Sequence, residues 1–291
     1  MAERWEDLES RHWLHLMNYM TNVRRPILRY YGGKWNMAPW IIANMPPHKV
    51  YVEPFAGAAN VMLRKPPVNL DVLGDLQGRM INVFRVLQDR KSAKKLARLL
   101  RTTPYSETEF EHCHAVSNDP VEDARRTIVV SMQGHAGVAA AGKKRSGFRR
   151  VKNPRGVGPA RTWSHVWEYV TDWSDRLRGV VLERKDALTI IDYYDGPDTV
   201  IYADPPYLRY SRTHGERVYE YEMEESEHRK LAECLGKAQG TVLVSGYRTT
   251  LYDRLYTDWQ RYEKTVVGYR GREVTECLWV NRPGNRQLGL F

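Results

Sequence analysis

The stretch "VYVEPFAGAANVML", residues 50–63, carries a β-branched and aromatic run into a helix-like run through Pro54, Gly57 and the alanines between Phe55 and Asn60. A short apolar run, a turn of small residues and then a helix is the opening unit of an open α/β sheet. Such sheets bind nucleotide-like ligands beyond the carboxyl end of the first strand. Glu53, Phe55 and Gly57 therefore stand where a cofactor would be touched. The turn is not a G-x-G-x-x-G, and no phosphate-binding lysine follows it, which excludes dinucleotides and ATP as the cofactor class.

Working outward, six runs read as strands: residues 49–54, 69–75, 179–183, 198–203, 240–245 and 275–281. They are rich in Val, Ile, Leu and Tyr and mostly do not alternate with polar residues, as expected of strands buried on both faces. Helical spacing separates them, as in Met80-Val83-Phe84-Leu87 and Leu231-Cys234-Leu235-Ala238. Strands interleaved with helices predict an α/β fold with parallel strands. The middle, residues 91–178, lacks strand runs. Trp163, Val166, Trp167, Val170, Trp173 and Leu177 form one stripe there, which predicts a single helix facing the core. The expected organisation is an N-terminal extension (1–26), a catalytic domain in two pieces (27–90 and 179–291) and a helical insert (91–178).

Charge is distributed unevenly. Of a formal net charge of +10, eight positive charges fall in one acid-free segment: Lys143, Lys144, Arg145, Arg149, Arg150, Lys152, Arg155 and Arg161. Glycines and prolines are interspersed, so a basic loop that meets nucleic-acid phosphates is expected. No apolar run approaches the roughly 18 residues of a membrane span, and three scattered cysteines suggest neither disulfides nor a zinc knuckle. "EHCH" (111–114) has no second ligand pair at zinc spacing, so no metal is expected.

Two further places carry chemistry. Asp75, about 20 residues beyond the turn and just after the second strand run, is placed to accept hydrogen bonds from ribose hydroxyls. A small-residue turn with a ribose acid and no phosphate machinery suits S-adenosylmethionine. "DPPY" (204–207) leaves the fourth strand run on a carboxylate and a rigid turn. Asp204 and the carbonyl of Pro205 are two adjacent acceptors, and an exocyclic amine offers two donors. Pro206 stiffens the exit, and Tyr207 offers a flat face for a base, for which the ring rather than the hydroxyl is needed. A clamp of this kind fits the amine of adenine or of cytosine. The absence of a Pro-Cys nucleophile disfavours methylation of a ring carbon.

In combination these motifs resemble the Dam-like family of adenine-specific DNA methyltransferases, in the α-group order of its phage-type members. "YYGGK" (30–34) resembles the first cofactor motif, with Tyr30, Gly33 and Lys34 as its contacts. "VEPFAGAAN" resembles the strand-turn-helix motif, with Ala59 where a second glycine is usual, and "GDLQGRMINVFRVLQ" resembles the segment that carries Asp75. "RKDAL" places Asp186 near the cofactor's adenine, and the segment after DPPY brings Arg212 as a DNA contact. The resemblance implies a Rossmann-like methyltransferase sheet with a target-recognition insert. It also implies S-adenosylmethionine as cofactor, duplex DNA as partner, extrusion of the target base, and a cytoplasmic location in a prokaryotic or phage-infected cell. Methylation of cytosine N4, methylation of adenine in RNA, and a decayed DNA-binding relative are the alternatives. Ala59, whose methyl would crowd the cofactor, is the one residue that favours the last.

Overall fold

A computed structural model describes residues 21–135, 146–152, 156–212, 218–267 and 273–283. Seven strands form one sheet: β1 (Val50–Glu53), β2 (Leu70–Gly74), β3 (Val180–Glu183), β4 (Thr199–Ala203), β5 (Thr241–Tyr247), β6 (Gln260–Val267) and β7 (Glu273–Val280). Their spatial order is β3-β2-β1-β4-β5-β7-β6. The first five run parallel, while β7 is antiparallel to both β5 and β6. The expected parallel strands form the body of the sheet, and at one edge an antiparallel pair, β6 and β7, completes it.

Alternate residues of the strands enter two separate cores. Tyr51, Leu73, Val200, Tyr202, Leu243 and Leu278 face one side. Val52, Val72, Ile201, Val242, Val244 and Trp279 face the other. Burial on both faces is why these runs look apolar throughout. The second core is closed by the helices Ala187–Tyr194, Glu225–Gly236 and Thr250–Leu255. The first continues without a break into the helices of residues 78–177, through Phe84, Leu96, Ile128 and Trp173.

The stripe of residues 163–177 is core, as expected, but it is not one helix. It comprises the helix Pro159–Trp163, a 3-10 turn Val166–Tyr169 and the helix Val170–Leu177. A buried ion triad ties the last of these to the sheet: Asp71 on β2 meets Lys65 at 3.3 Å and Arg176 at 2.9 Å. Residues 21–28 also dock on this core, with Val23, Ile27 and Leu28 buried and the Arg25 carbonyl accepting from the Trp173 indole. Among the described residues no helix is long and apolar enough to cross a membrane.

Candidate active site

The strand order reverses between β1 and β4, and ligands of open α/β sheets bind in the crevice at that reversal. A cavity of about 820 Å³ opens there, large enough for a nucleoside-sized ligand. Glu53 ends β1, Asp75 follows β2, Asp186 follows β3 and Asp204 follows β4, so four strand ends each deliver a carboxylate to its wall. Tyr30, Gly33, Lys34, Phe55, Gly57 and Pro206 line it as well. Pro205 and Tyr207 are not part of the lining.

The turn between β1 and the helix Asn60–Arg64 is held from several sides. Asp75 accepts from the Gly57 amide through Oδ2 and from the Gln77 amide through Oδ1, both at 2.8 Å. It therefore clasps the two loops that flank the cavity, and its remaining lone pairs are left for a ligand. Gly57 is left-handed (φ 48°), and a Cβ there would come within 3.0 Å of the Tyr30 ring. Glycine at 57 is therefore what lets Tyr30 close over the turn. Ala59 is also left-handed, at φ 52°, the one such non-glycine residue among those described. It is fully buried and does not line the cavity, so its methyl enters the core and does not crowd the ligand space. Asp186 caps the helix Ala187–Tyr194 by accepting from the Leu188 amide at 2.9 Å.

Around DPPY the side chains form a connected set. The Lys34 ammonium lies 3.0 Å from Oδ1 of Asp204 and 4.8 Å from the centroid of the Tyr207 ring. The Tyr207 hydroxyl donates to Oε2 of Glu276 at 2.8 Å, and its ring meets Tyr247 edge-on. The hydroxyl thus has a buried partner of its own, which the reading of Tyr207 as a ring face alone did not foresee. Arg212 is also placed differently from expectation. It is buried, binds Glu222 through both terminal nitrogens and donates to the Tyr207 carbonyl. Its guanidinium braces the segment after DPPY from inside.

Burial dominates the electrostatics. It raises the Glu53 carboxyl to about 8, although the Tyr51 hydroxyl and the Met62 amide both donate to Oε2 and oppose the rise. Asp204 is raised by burial against the opposing Lys34 charge and Tyr207 hydroxyl. Lys34 is disfavoured by burial, yet Asp204 and Glu276 more than offset this and hold it above its ordinary value.

Sequence reading missed part of the wall. Tyr219, Glu220, Glu222 and Met223 come from the segment after DPPY, and Asn60 from the helix after β1. Asn60 Oδ1 is buried without a hydrogen-bond partner, and its position inside the strand-turn-helix motif was the available signal. In all, eight acidic residues line the cavity (Glu53, Asp75, Asp186, Asp204, Glu220, Glu222, Glu224 and Glu227) against three lysines, Lys34, Lys185 and Lys230. Even with Glu222 paired to Arg212 and Glu53 protonated by burial, the acids remain in excess. A strongly basic chain thus encloses an acidic cavity, which favours a cationic ligand and opposes phosphates.

Of the basic segment, Lys143, Lys144, Arg145 and Arg155 lie outside the described residues. Arg150, Lys152 and Arg161 are exposed, Arg150 beside Glu107. Arg149 is half-buried and anchored by its backbone to Gln133 and Tyr105. A second basic face, not anticipated, lies on the helix Arg90–Thr102, where Arg90, Lys91, Lys94, Lys95, Arg98 and Arg101 are exposed. In "EHCH", His112 contacts Arg126 and His114 packs edge-on to Phe110. Among the described residues no group of three side chains could hold a metal.

Comparison with known proteins agrees with this geometry. The sequence model of the D12 class N6 adenine-specific DNA methyltransferases matches residues 30–267. The chain is similar to the DNA adenine methylase of Escherichia coli K12, at 24% identity over 287 residues, covering 89% of this chain and 96% of that protein. It is equally similar to the type II methyltransferase M1.LlaDCHI of Lactococcus lactis subsp. cremoris, at 24% over 280 residues, covering 88% and 95%.

Proposed function

Because the chain belongs to the D12 class N6 adenine-specific DNA methyltransferase family, we propose that it methylates the 6-amino group of adenine extruded from duplex DNA, with S-adenosylmethionine as donor. The observation that carries the choice of donor is the excess of carboxylates in the cavity at the strand reversal. S-adenosylmethionine bears an ammonium and a sulfonium, and no phosphate, so the donor set fits it. Asp75 would hold the ribose hydroxyls and Asp186 would lie toward the adenine. Glu53 and the unpartnered Asn60 Oδ1 would accept from the ammonium. When bound, the cofactor supplies an electrophilic methyl group.

The chain's own residues prepare the nucleophile. Asp204 and the Pro205 carbonyl accept the two amine hydrogens of the target base, which draws the nitrogen out of conjugation and frees its lone pair. Tyr207 supplies an aromatic face, worth about 1–3 kcal/mol per stacked base, toward the few kcal/mol that extrusion costs. For a base to use Asp204 and that face, the Lys34 ammonium must move aside, since it now lies against both. The two pieces 27–90 and 179–291 act as the catalytic domain, and 91–178 contributes the DNA-reading insert.

The test is single-turnover methyl transfer from labelled S-adenosylmethionine to duplex DNA, single-stranded DNA and RNA, with the products digested to nucleosides. N6-methyl-2′-deoxyadenosine from duplex DNA alone is the expected outcome, while N4-methyl-2′-deoxycytidine, or N6-methyladenosine from the RNA, would overturn the reading. Asp204→Ala should abolish transfer while calorimetry still detects cofactor binding. A folded Asp204→Ala protein with near wild-type transfer would remove Asp204 from the mechanism.

A further inference from the structure

Glu276 belongs to none of the motifs that mark the site. It lies on β7, opposite Tyr247 of β5 and Lys264 of β6 in the ladder, and it is 8% exposed. A carboxylate so deep in a sheet is costly unless it is paired. The partner of Oε2 is the Tyr207 hydroxyl at 2.8 Å, and Lys34 and Asp204 are the groups whose charge it feels. The register explains how this comes about. Residues 276, 278 and 280 share one face of β7, and pairing with Tyr247 brings Glu276 beneath the ring that packs edge-on against Tyr207. One neighbouring pair on β5 and β7 therefore fixes Tyr207 twice, by its ring and by its hydroxyl.

The hydroxyl has a single hydrogen, which Glu276 takes at 2.8 Å, while Asp204 also feels that hydroxyl. While Glu276 takes that hydrogen, the hydroxyl does not compete for Asp204, so once Lys34 moves aside its oxygens can accept the amine. Without Glu276 the hydroxyl would donate to Asp204 and compete with any amine presented there.

We infer that Glu276 is a positioning residue for methyl transfer, holding the Tyr207 hydroxyl so that the ring faces the target base and Asp204 stays free to accept its amine. This rests on the reading of Asp204 and Tyr207 given above. Glu276 does not line the cavity, so its removal should leave cofactor affinity within about twofold while slowing transfer. The single-turnover rate of Glu276→Ala should fall roughly 10- to 100-fold, the loss expected for one hydrogen bond to a charged group.

The experiment measures cofactor Kd by calorimetry and the single-turnover rate on duplex DNA for six proteins. These are wild type, Glu276→Ala, Glu276→Gln, Tyr207→Phe, Tyr207→Ala and the Tyr207→Phe/Glu276→Ala double variant. Glu276→Gln keeps an acceptor oxygen and should recover most of what Glu276→Ala loses. Where Glu276→Ala does not fold, Tyr207→Phe breaks the same bond from the other side, and a wild-type rate there overturns the inference. The double variant should be no slower than Glu276→Ala alone, because both changes break the same bond. A Glu276→Ala protein at wild-type rate would overturn the inference. So would losses that multiply in the double variant, or a parallel loss of cofactor binding. Tyr207→Ala separates the two readings. If it remains active, the assignment of Tyr207 has failed. If it is inactive while Glu276→Ala is unimpaired, the role of Glu276 alone has failed.

Discussion

The Lys34 ammonium and the Asp204 carboxylate sit 3.0 Å apart, joining the turn before β1 to the end of β4. Lys34 is buried and Asp204 half-buried, and the ammonium lies over the ring of Tyr207. Lys34 therefore shapes the acid that is to accept the target amine. It balances a carboxylate that burial would otherwise push toward its neutral form.

That balance has a measurable sign. The Lys34 charge lowers the Asp204 pKa, so replacing it in Lys34→Met should raise that pKa further. Asp204 must be ionised to accept, so activity falls as pH drops through its pKa. The acid limb of the single-turnover rate should consequently move to higher pH in Lys34→Met, with the alkaline plateau lowered less. A limb that stays in place would show that Lys34 does not govern the ionisation of Asp204.

Glu53 gives a stability prediction. Its folded-state pKa of about 8 lies above the ordinary value of 4.5, with burial as the leading cause. The folded protein thus binds the proton more tightly than the unfolded chain does. Its contribution is fully present below the ordinary value and is lost as pH rises through about 8. Glu53→Gln should flatten the decline in denaturation midpoint across that window. A cation bound beside Glu53 favours ionisation, so S-adenosylmethionine binding near neutrality should release a proton. Calorimetry in buffers of different ionisation enthalpy would detect this, and Glu53→Gln should abolish it. An unchanged decline in Glu53→Gln would assign the pH dependence to another group.

At Ala59 competing magnitudes nearly cancel. A left-handed non-glycine residue costs roughly 1–2 kcal/mol, and the backbone here has φ 52°. Glycine would relieve this but lose about 0.8 kcal/mol of methyl burial and roughly 0.4–1 kcal/mol through the freer unfolded chain. Ala59→Gly should therefore unfold within about 1 kcal/mol of wild type and bind cofactor within twofold, since the methyl does not face the cavity. Ala59→Val should be destabilised by more, because a branched Cβ is ill-suited to that backbone. Cofactor affinity that changes markedly in Ala59→Gly would place the turn closer to the ligand than its lining indicates. The methyl is thus poor support for a decayed, non-catalytic protein.

Much of the sheet was legible because burial on both faces leaves an apolar signature, which marked the runs of β1 to β5 and of β7. β6 was not. "QRYEKTVV" is dominated by polar and charged residues, with no apolar run until its last two, because it is the edge strand with several exposed side chains. The direction of β7 was equally hidden, since composition does not encode whether a strand runs up or down. The individual site motifs were readable, but their joining was not. Lys34 meets Asp204, and Tyr207 meets Glu276, between segments far apart in the chain. The signal for Glu276 was a lone acid in the apolar run "TECLWVN", which asks for a buried partner without naming it. Arg212 was misread because a basic residue beside a catalytic motif reads equally as a phosphate contact or as a brace. Only Glu222 decides between them.

The basic segment supplies the last prediction. Eight cationic residues between Lys143 and Arg161 have no acid among them in sequence. Those described and exposed meet little that would hold them. Arg150 pairs with Glu107 where both are largely exposed, and pairs of that kind contribute at most about 1 kcal/mol. A phosphate could displace such a partner at low cost. If roughly half of the eight charges meet phosphates, log K for duplex DNA should fall against log salt with a slope near −4. Reversing Arg149 and Arg150 to Glu should weaken DNA binding and make the slope shallower, by about one for each phosphate that is no longer neutralised. Cofactor affinity should not change, because neither residue lines the cavity. The second basic face, on the helix Arg90–Thr102, provides the internal comparison. Reversing Lys91 and Lys94 to Glu alters net charge by the same amount at another place. If this pair shifts the slope as far as Arg149 and Arg150 do, attraction is set by overall charge, and the 143–161 segment has no special contact with DNA. If only the Arg149 and Arg150 reversal changes it, the phosphates are met where the sequence concentrates its charge.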